Sequence, residues 1–362
     1  MRIRTTAALT ALLVVTTGGT ALAGPTSAGI DRRVVQEGLD EFVQAGALGV
    51  QVRVTGDRRQ FTARSGVADL GSHRPVPPNG RFRAGSITKT FAATVALQLA
   101  GEDTLDLDAP VVRYLPGLVD HRITVRDLLQ HTSGLYNFTE TVQLDPDVFE
   151  PIRYQHWEPE EVLRIATSRP LDFEPGTKWA YSNTNYTVVG LLIEHVTGRT
   201  FEQEVQRRVL KPLRLDDTSL PVDQTAIPGP HARAYWTYQG KPSDITHINP
   251  SFARVAGNII STTADLDTFV DALLDGRLLK PAQQAELLRT TAVSPRYGLG
   301  IEIDHLSCGT TVLGHSGGIP GFISAMYTTA DTGKRVVLNA TTAPDLADPT
   351  AAYDKLTTEI FC

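Results

Sequence analysis

Ser86 and Lys89 stand three residues apart at the start of an apolar segment that ends near Ala100, and Lys89 is the only ionisable residue of that segment. On a helix, side chains three positions apart are neighbours, and the helix dipole places partial positive charge at the serine. Burial lowers the pKa of a lysine, so a neutral Lys89 can accept the Ser86 proton and make the hydroxyl a nucleophile. The pair therefore predicts nucleophilic catalysis, while a capping serine beside a solvent-facing lysine is the simpler alternative.

Three further motifs with polar or ionisable side chains follow Ser86 in order along the chain. The second of them follows a turn and precedes a helical segment, and the third ends a predicted strand. Taken singly, Tyr181 also fits a core tyrosine, and His315 fits a strand histidine that faces solvent. The motifs are His131-Thr132-Ser133-Gly134-Leu135, Tyr181-Ser182-Asn183 and His315-Ser316-Gly317.

Together with the Ser86 to Lys89 motif, this ordered set resembles the penicillin-recognising serine hydrolases, in particular the branch of secreted DD-carboxypeptidases and class C β-lactamases. A sister branch carries the corresponding motifs as S-x-x-K, S-D-N and K-T-G. The resemblance extends over nearly the whole chain, from about residue 30 to residue 362. It implies a serine hydrolase that works through an acyl-enzyme, with no metal and no cofactor.

The resemblance implies catalytic roles for Ser86, Lys89 and Tyr181. Ser86 is expected to attack an amide or lactam carbonyl, while Lys89 and Tyr181 share the proton transfers. A tyrosine beside an ammonium group has a lowered pKa, so a Tyr181 that is partly phenolate is expected. Asn183 is expected to hydrogen-bond the substrate amide.

The resemblance also implies a substrate-binding wall that consists of His315, Ser316, Gly317 and Gly318. His315 supplies polarity on this wall, at the position where the sister branch has a lysine. The backbone N–H groups of Ser86 and Gly318 form the expected oxyanion hole.

Other polar and aromatic residues near these motifs carry weaker signals. Asp127 and His131 are four residues apart, but two ligands do not make a zinc site, so no metal site is predicted. In the family resemblance, the segment around His131 is a structural turn. Tyr136, Phe138 and Trp236 are candidates for lining the cleft, with packing in the core as the alternative.

The elements that must position these motifs fall into two groups. Strand patterns occur at residues 50–54 and 60–64 near one end, and at residues 299–303, 311–315, 322–327 and 335–339 near the other. Helical signals dominate between residues 88 and 288. The expected fold is α+β: an antiparallel sheet built from both chain ends and flanked by helices, with a mostly helical inserted lobe. The sheet lobe is predicted at residues 24–100 and 250–362, and the helical lobe at residues 101–249.

The N-terminal residues predict export. Residues 1–23 combine two arginines, an apolar run and a small-x-small ending at Ala21-Leu22-Ala23, which is typical of a signal peptide cleaved after Ala23. The run is too short for a membrane anchor. Cys308 and Cys362 are the only cysteines, so one disulfide is expected in an exported chain, and two free thiols are the alternative. The net charge of −6 argues against a nucleic-acid partner.

The expected protein is a secreted monomer without a membrane anchor. Its leading function is that of a D-alanyl-D-alanine carboxypeptidase on peptidoglycan stem peptides, because the Cys308 to Cys362 spacing resembles secreted carboxypeptidases of this branch. A β-lactamase, and an esterase or D-aminopeptidase on the same scaffold, are alternatives, and β-lactams are expected as inhibitors or substrates. A non-catalytic binding protein is disfavoured because all the catalytic motifs are intact.

Two positions depart from carboxypeptidases of this kind, which usually hold the substrate carboxylate with an arginine and nearby hydroxyls. Glu302 stands at the position that aligns with this arginine, and Gly318 stands where a hydroxyl is common. A carboxylate on that wall repels a substrate carboxylate, unless Arg254 or Arg296 supplies the missing charge. The sequence therefore predicts weak activity on free acids and better cleavage of amides, esters or longer peptides.

Overall fold

The computed structural model describes residues 29–56, 59–344 and 348–362. The predicted signal peptide at residues 1–23 lies outside these ranges. In the part of the chain that is described, no helix has both the length and the apolar character needed to cross a membrane.

The strands belong to one large sheet and two small ones. The large sheet contains β1 to β3 and β8 to β11, while β4 pairs with β7 and β5 pairs with β6. The strands are β1 Ala47–Gly56, β2 Arg59–Asp69, β3 Ser72–Pro75, β4 Phe82–Arg83, β5 Tyr235–Tyr238, β6 Lys241–Asp244, β7 Ile260–Ser261, β8 Glu302–His305, β9 Thr311–Ile319, β10 Phe322–Thr329 and β11 Arg335–Thr342.

Most helices lie in sequence between the two groups of strands, as the sequence predicts. The α-helices are α1 Arg32–Gln44, α2 Thr88–Ala100, α3 Val125–Gln130, α4 Thr139–Val142, α5 Pro146–Phe149, α6 Pro159–Thr167, α7 Asn183–Thr197, α8 Phe201–Val205, α9 Lys211–Leu213, α10 Arg254–Gly257, α11 Thr263–Leu274, α12 Pro281–Leu287 and α13 Thr350–Phe361. Short helical turns lie at Gly85–Ile87, Val111–Arg113, Glu150–Ile152 and Pro250–Phe252, with a π-helical turn at Gln206–Leu210.

The two chain ends meet in the middle of the large sheet. Its order is β3-β2-β1-β11-β10-β9-β8, and each described pairing is antiparallel, with Val52 opposite both Ala63 of β2 and Leu338 of β11. One face packs against α1 and α13 through residues such as Leu39 and Leu356. The other face joins a core that includes α2 and α11. The predicted α+β class with an antiparallel sheet made from both ends is confirmed, and the lobe boundaries at residues 100 and 250 stay a prediction.

The predicted strand at residues 299–303 is wrong in its first half, because β8 begins only at Glu302. Gly300 has a φ of +75°, which ends extended backbone, and a Cβ there would lie 2.4 Å from the Cβ of Ala93. The β8–β9 hairpin is fixed at its far end, where a disulfide joins Cys308 to Cys362 at the end of α13.

Candidate active site

Ser86 lies in a tight turn between β4 and α2. Gly85 enters this turn with a φ of +53°, and a Cβ at that position would lie 2.9 Å from the backbone nitrogen of Gly318. Only glycine allows both this backbone conformation and this close approach to β9. The turn therefore places Ser86, which remains partly exposed, beside the strand that carries the His315 motif.

Lys89, the second residue of α2, is completely buried, as its position in the apolar segment predicts. Its Nζ lies 2.8 Å from Asn183 Oδ1, 2.7 Å from the Ala256 carbonyl and 2.9 Å from Ser86 Oγ. Burial lowers the pKa of Lys89 well below its ordinary value, with an opposing contribution from Glu302. The lowered pKa favours the neutral amine, which can donate to the amide and carbonyl oxygens and accept the proton of the Ser86 hydroxyl.

Tyr181 donates a hydrogen bond of 2.8 Å from its hydroxyl to Ser86 Oγ. The expectation of a lowered pKa is wrong in direction. Removal from water raises the pKa of Tyr181 well above its ordinary value, and the hydrogen bond to Ser86 opposes this shift only in part. The lowered pKa of Lys89 also disfavours the ammonium charge that would stabilise a phenolate. Tyr181 is therefore a phenol that holds its proton.

Asn183 is the first residue of α7, and both ends of its amide are engaged. Its Oδ1 accepts from Lys89, while its Nδ2 lies 3.3 Å from both Asn137 Oδ1 and Thr139 Oγ1. Asn137 also accepts the backbone N–H of Asn183 at 3.0 Å. Sequence reasoning missed Asn137 and Thr139, although they lie two and four residues after the end of the His131 motif. These two residues fix which way the Asn183 amide points.

His315 is buried on β9, with 1% of its surface exposed, so the solvent-facing alternative does not apply. Its Nδ1 lies 2.5 Å from the Ser316 carbonyl, which can only accept, and its Nε2 lies 2.9 Å from the Tyr297 hydroxyl. Nδ1 therefore carries the proton and Nε2 accepts from Tyr297. Burial lowers the pKa of His315, which favours this neutral form. Its ring centroid is 6.5 Å from that of Tyr181.

Gly317 and Gly318 have different surroundings on the same strand. A Cβ on Gly317 would lie 2.1 Å from the Ala84 carbonyl, whereas a Cβ on Gly318 would meet open space. The backbone N–H of Ser316 points to the open edge of β9, where it donates to Glu302 at 3.2 Å. Because strand residues two apart present their N–H groups on the same side, Gly318 presents its N–H at this edge, next to Gly85.

Glu302 begins β8 and reaches along the open edge of β9. Its carboxylate accepts from the Ser316 hydroxyl at 2.9 Å and also from the Tyr327 hydroxyl. The two candidate arginines are engaged elsewhere. Arg254 pairs with Glu194 and Glu202, and Arg296 pairs with Asp304, so neither replaces the charge missing at Glu302. The wall beside Ser316 is therefore anionic.

The remaining sequence candidates take structural positions. Asp127 and the N-cap residue Thr124 form a capping box at the start of α3. The Oδ1 atom of Asp127 also accepts a hydrogen bond of 2.7 Å from the Thr132 hydroxyl. Phe138 is completely buried in the core.

Two aromatic candidates are only partly buried. Tyr136 lies under the Arg169 guanidinium at 4.2 Å, and Trp236 donates to Glu150 at 2.8 Å.

Comparison with known proteins gives consistent matches. Residues 32–358 match the family model described as Beta-lactamase. A β-lactamase of Pseudomonas fluorescens is 30% identical over 261 residues, which cover 70% of this chain and 68% of that protein. Among the curated relatives compared, the aligned part spans from 46% to 68% of the relative's own length.

Two solved structures are similar over almost the full chain. A D-stereospecific amidohydrolase from Streptomyces sp. has a TM-score of 0.83 and 39% identity, covering 91% of this chain and 98% of that one. A D-amino acid amidase from Ochrobactrum anthropi SV3 has a TM-score of 0.79 and 27% identity, covering 90% and 97%.

Proposed function

Because the chain belongs to the beta-lactamase family of serine hydrolases, we propose that it cleaves amide bonds through an acyl-enzyme formed on Ser86. The observation that carries this proposal is the chain of hydrogen bonds from the Tyr181 hydroxyl through Ser86 Oγ to Lys89 Nζ, at 2.8 Å and 2.9 Å. It joins a proton donor, a nucleophile and a base. The raised pKa of Tyr181 suits a proton donor, and the lowered pKa of Lys89 suits a base.

The proposed reaction moves one proton from the nucleophile to the leaving group. Lys89 accepts the Ser86 proton as Oγ bonds to the substrate carbonyl carbon, and the N–H groups of Ser86 and Gly318 stabilise the oxyanion. The proton then reaches the leaving nitrogen through the Tyr181 hydroxyl, and the C–N bond breaks. Water adds to the ester, its proton returns to Ser86 Oγ as the C–O bond breaks, and the acid product leaves.

We propose that the substrates are amides or peptides of D-amino acids whose leaving group carries no free carboxylate. The carboxylate of Glu302 supports this class, because a second carboxylate beside Ser316 would be repelled. The two similar structures described above, a D-stereospecific amidohydrolase and a D-amino acid amidase, also support it.

A D-alanyl-D-alanine carboxypeptidase is the second candidate. The disulfide between Cys308 and Cys362 favours it, because its spacing resembles that of secreted carboxypeptidases in this branch. The deciding comparison is between a tripeptide ending in D-Ala-D-Ala, its C-terminally amidated analogue and the analogue with an L-residue at the scissile bond. We expect at least tenfold faster cleavage of the amidated D-peptide. A tenfold preference for the free acid would favour the carboxypeptidase.

Ser86→Ala gives the control for the mechanism, because it removes only the nucleophile. We expect it to abolish turnover and labelling by a fluorescent penicillin. Hydrolysis of a chromogenic cephalosporin by the wild-type protein would instead indicate a β-lactamase. A fully active Ser86→Ala protein would refute the acyl-enzyme on Ser86.

We also propose that the protein is exported. A disulfide supports this proposal, because such bonds persist in oxidising compartments. Expression of the full chain in a secreting host should release a protein that begins at Gly24, as N-terminal sequencing would reveal. Retention of residues 1–23 inside the cell would contradict it.

A further inference from the structure

His131 contacts each residue of a three-residue run centred on Tyr181. Its carbonyl accepts the N–H of Ala180 at 3.1 Å, and its Nδ1 accepts the N–H of Ser182 at 3.2 Å. Its ring lies against the Tyr181 ring, with centroids 4.3 Å apart and planes at 35°. One residue therefore holds the backbone on both sides of Tyr181 as well as its aromatic face.

The hydrogen bonds of His131 fix its tautomer. Nδ1 receives the Ser182 N–H and lies 3.0 Å from Asn185 Nδ2, while Asn185 Oδ1 accepts from Ser133 at 2.5 Å. A backbone N–H can only donate, so Nδ1 has no proton and the neutral ring carries its proton on Nε2. His131 thus acts as an acceptor on the side that faces the Tyr181 segment.

The other side of His131 has no polar role within the described residues. The residue is completely buried, and no hydrogen-bond partner is present for Nε2 there. The rings of Tyr186 and Tyr297 lie 5.4 Å and 5.0 Å from the imidazole ring. A phenylalanine would fill such a site without an unpaired polar atom, so packing alone does not account for a histidine.

We propose that His131 is a positioning residue that sets the place of the Tyr181 hydroxyl for proton delivery to the leaving group. This inference rests on the proposed function. The hydroxyl of Tyr181 bonds to Ser86, so the ring direction depends on the peptides and the ring that His131 holds. A displacement of about 1 Å in such a group costs about 10²-fold in rate.

The test compares two substrates that differ in their need for the Tyr181 proton. Acylation by the p-nitroanilide of a D-amino acid requires a proton on the leaving nitrogen, whereas p-nitrophenolate leaves the matching ester without one. The acylation burst of each substrate is measured for wild type, Tyr181→Phe, His131→Phe and His131→Asn. His131→Phe keeps a ring but loses the acceptor, and His131→Asn keeps an acceptor and tolerates a left-handed φ, which is +62° here.

We expect the anilide burst of His131→Phe to fall about 10²-fold while the ester burst changes less than about threefold, as in Tyr181→Phe. His131→Asn should show a smaller loss that is still confined to the anilide, and it carries the test if His131→Phe does not fold. His195 is exposed on α7, so His195→Phe and His195→Asn serve as matched controls with wild-type rates.

Equal losses for both substrates, or wild-type rates in every variant that folds, would overturn the proposal, because a purely structural role lowers all activities together. Failure of the proposed function is distinguishable. It would appear as a wild-type protein without an acyl group on Ser86, whereas a normal wild-type acyl-enzyme with unselective His131 variants refutes this inference alone.

Discussion

Two parts of the site differ in charge and in access to solvent. We call Ser86, Lys89 and Tyr181 the corner, and we call Glu302 and Ser316, at the open edge of β9, the wall. In the corner, the amine of Lys89 and the phenol of Tyr181 both favour their neutral forms, because each is removed from water. On the wall, Glu302 and the exposed Ser316 form an anionic edge that is open to a ligand. Reactivity and selectivity therefore depend mainly on separate parts of this site, so substitutions should change them separately.

Replacement of Lys89 is expected to have the largest effect on rate. Lys89→Met keeps an unbranched side chain of similar length but removes the base, so acylation should fall by about 10³-fold with every substrate. Single-turnover acylation measures this, with thermal unfolding as the check that the fold persists. A selective loss for acid substrates would break the separation between corner and wall.

The pH dependence of kcat/KM tests whether the corner is neutral. Activity requires unprotonated Lys89, and its lowered pKa places the acid limb far below the usual titration range of lysine. The raised pKa of Tyr181 keeps its proton on through the same range. We therefore expect a plateau from pH 7 to pH 9. A tenfold rise per pH unit across this interval would show that Lys89 is charged.

Substitution of Glu302 should change selectivity and keep the corner neutral, because Glu302 opposes the lowering of the Lys89 pKa and its removal lowers that pKa further. Glu302→Gln retains the shape and an acceptor for Ser316 but removes the charge, so cleavage of the free-acid tripeptide should improve about fivefold relative to its amide. Thermal unfolding and the rate on the amide serve as controls. An unchanged ratio of acid to amide rates would show that Glu302 does not act on the leaving group.

Loss of the disulfide should have the smallest effect on rate. Cys308→Ser/Cys362→Ser removes a link at the far end of the β8–β9 hairpin, so kcat/KM should stay within about twofold while stability falls by about 4 kcal/mol in the chain-entropy account. Chemical denaturation measures the loss. Thiol titration of the unfolded, unreduced wild-type protein should find no free thiol, and two reactive thiols would contradict the bridge.

The sequence predicts the corner better than the wall. Fixed spacing on a helix brings Ser86 and Lys89 together, and the apolar segment around Lys89 already indicates its burial. The direction of the Tyr181 pKa shift was predicted wrongly, because it depends on removal from water by residues distant in sequence.

The wall depends on where β8 begins, which periodicity alone does not determine. Gly300 interrupts the predicted strand, and only the actual start at Glu302 directs that side chain toward Ser316. Asn137 and Thr139 were missed because their spacing from Asn183 reflects tertiary contact rather than a local pattern. Their place shortly after the His131 motif is the one sequence signal that could have identified them.

The pairing of β1 with β11 also determines when the molecule can fold. Ala47 is opposite Thr342 at one end of this pairing, so the centre of the sheet stays incomplete until β11 has been synthesised. Contacts between such distant residues slow folding, because a long loop must close before they form. A nascent chain of this kind stays unfolded for longer, which makes it a ready client for chaperones during synthesis.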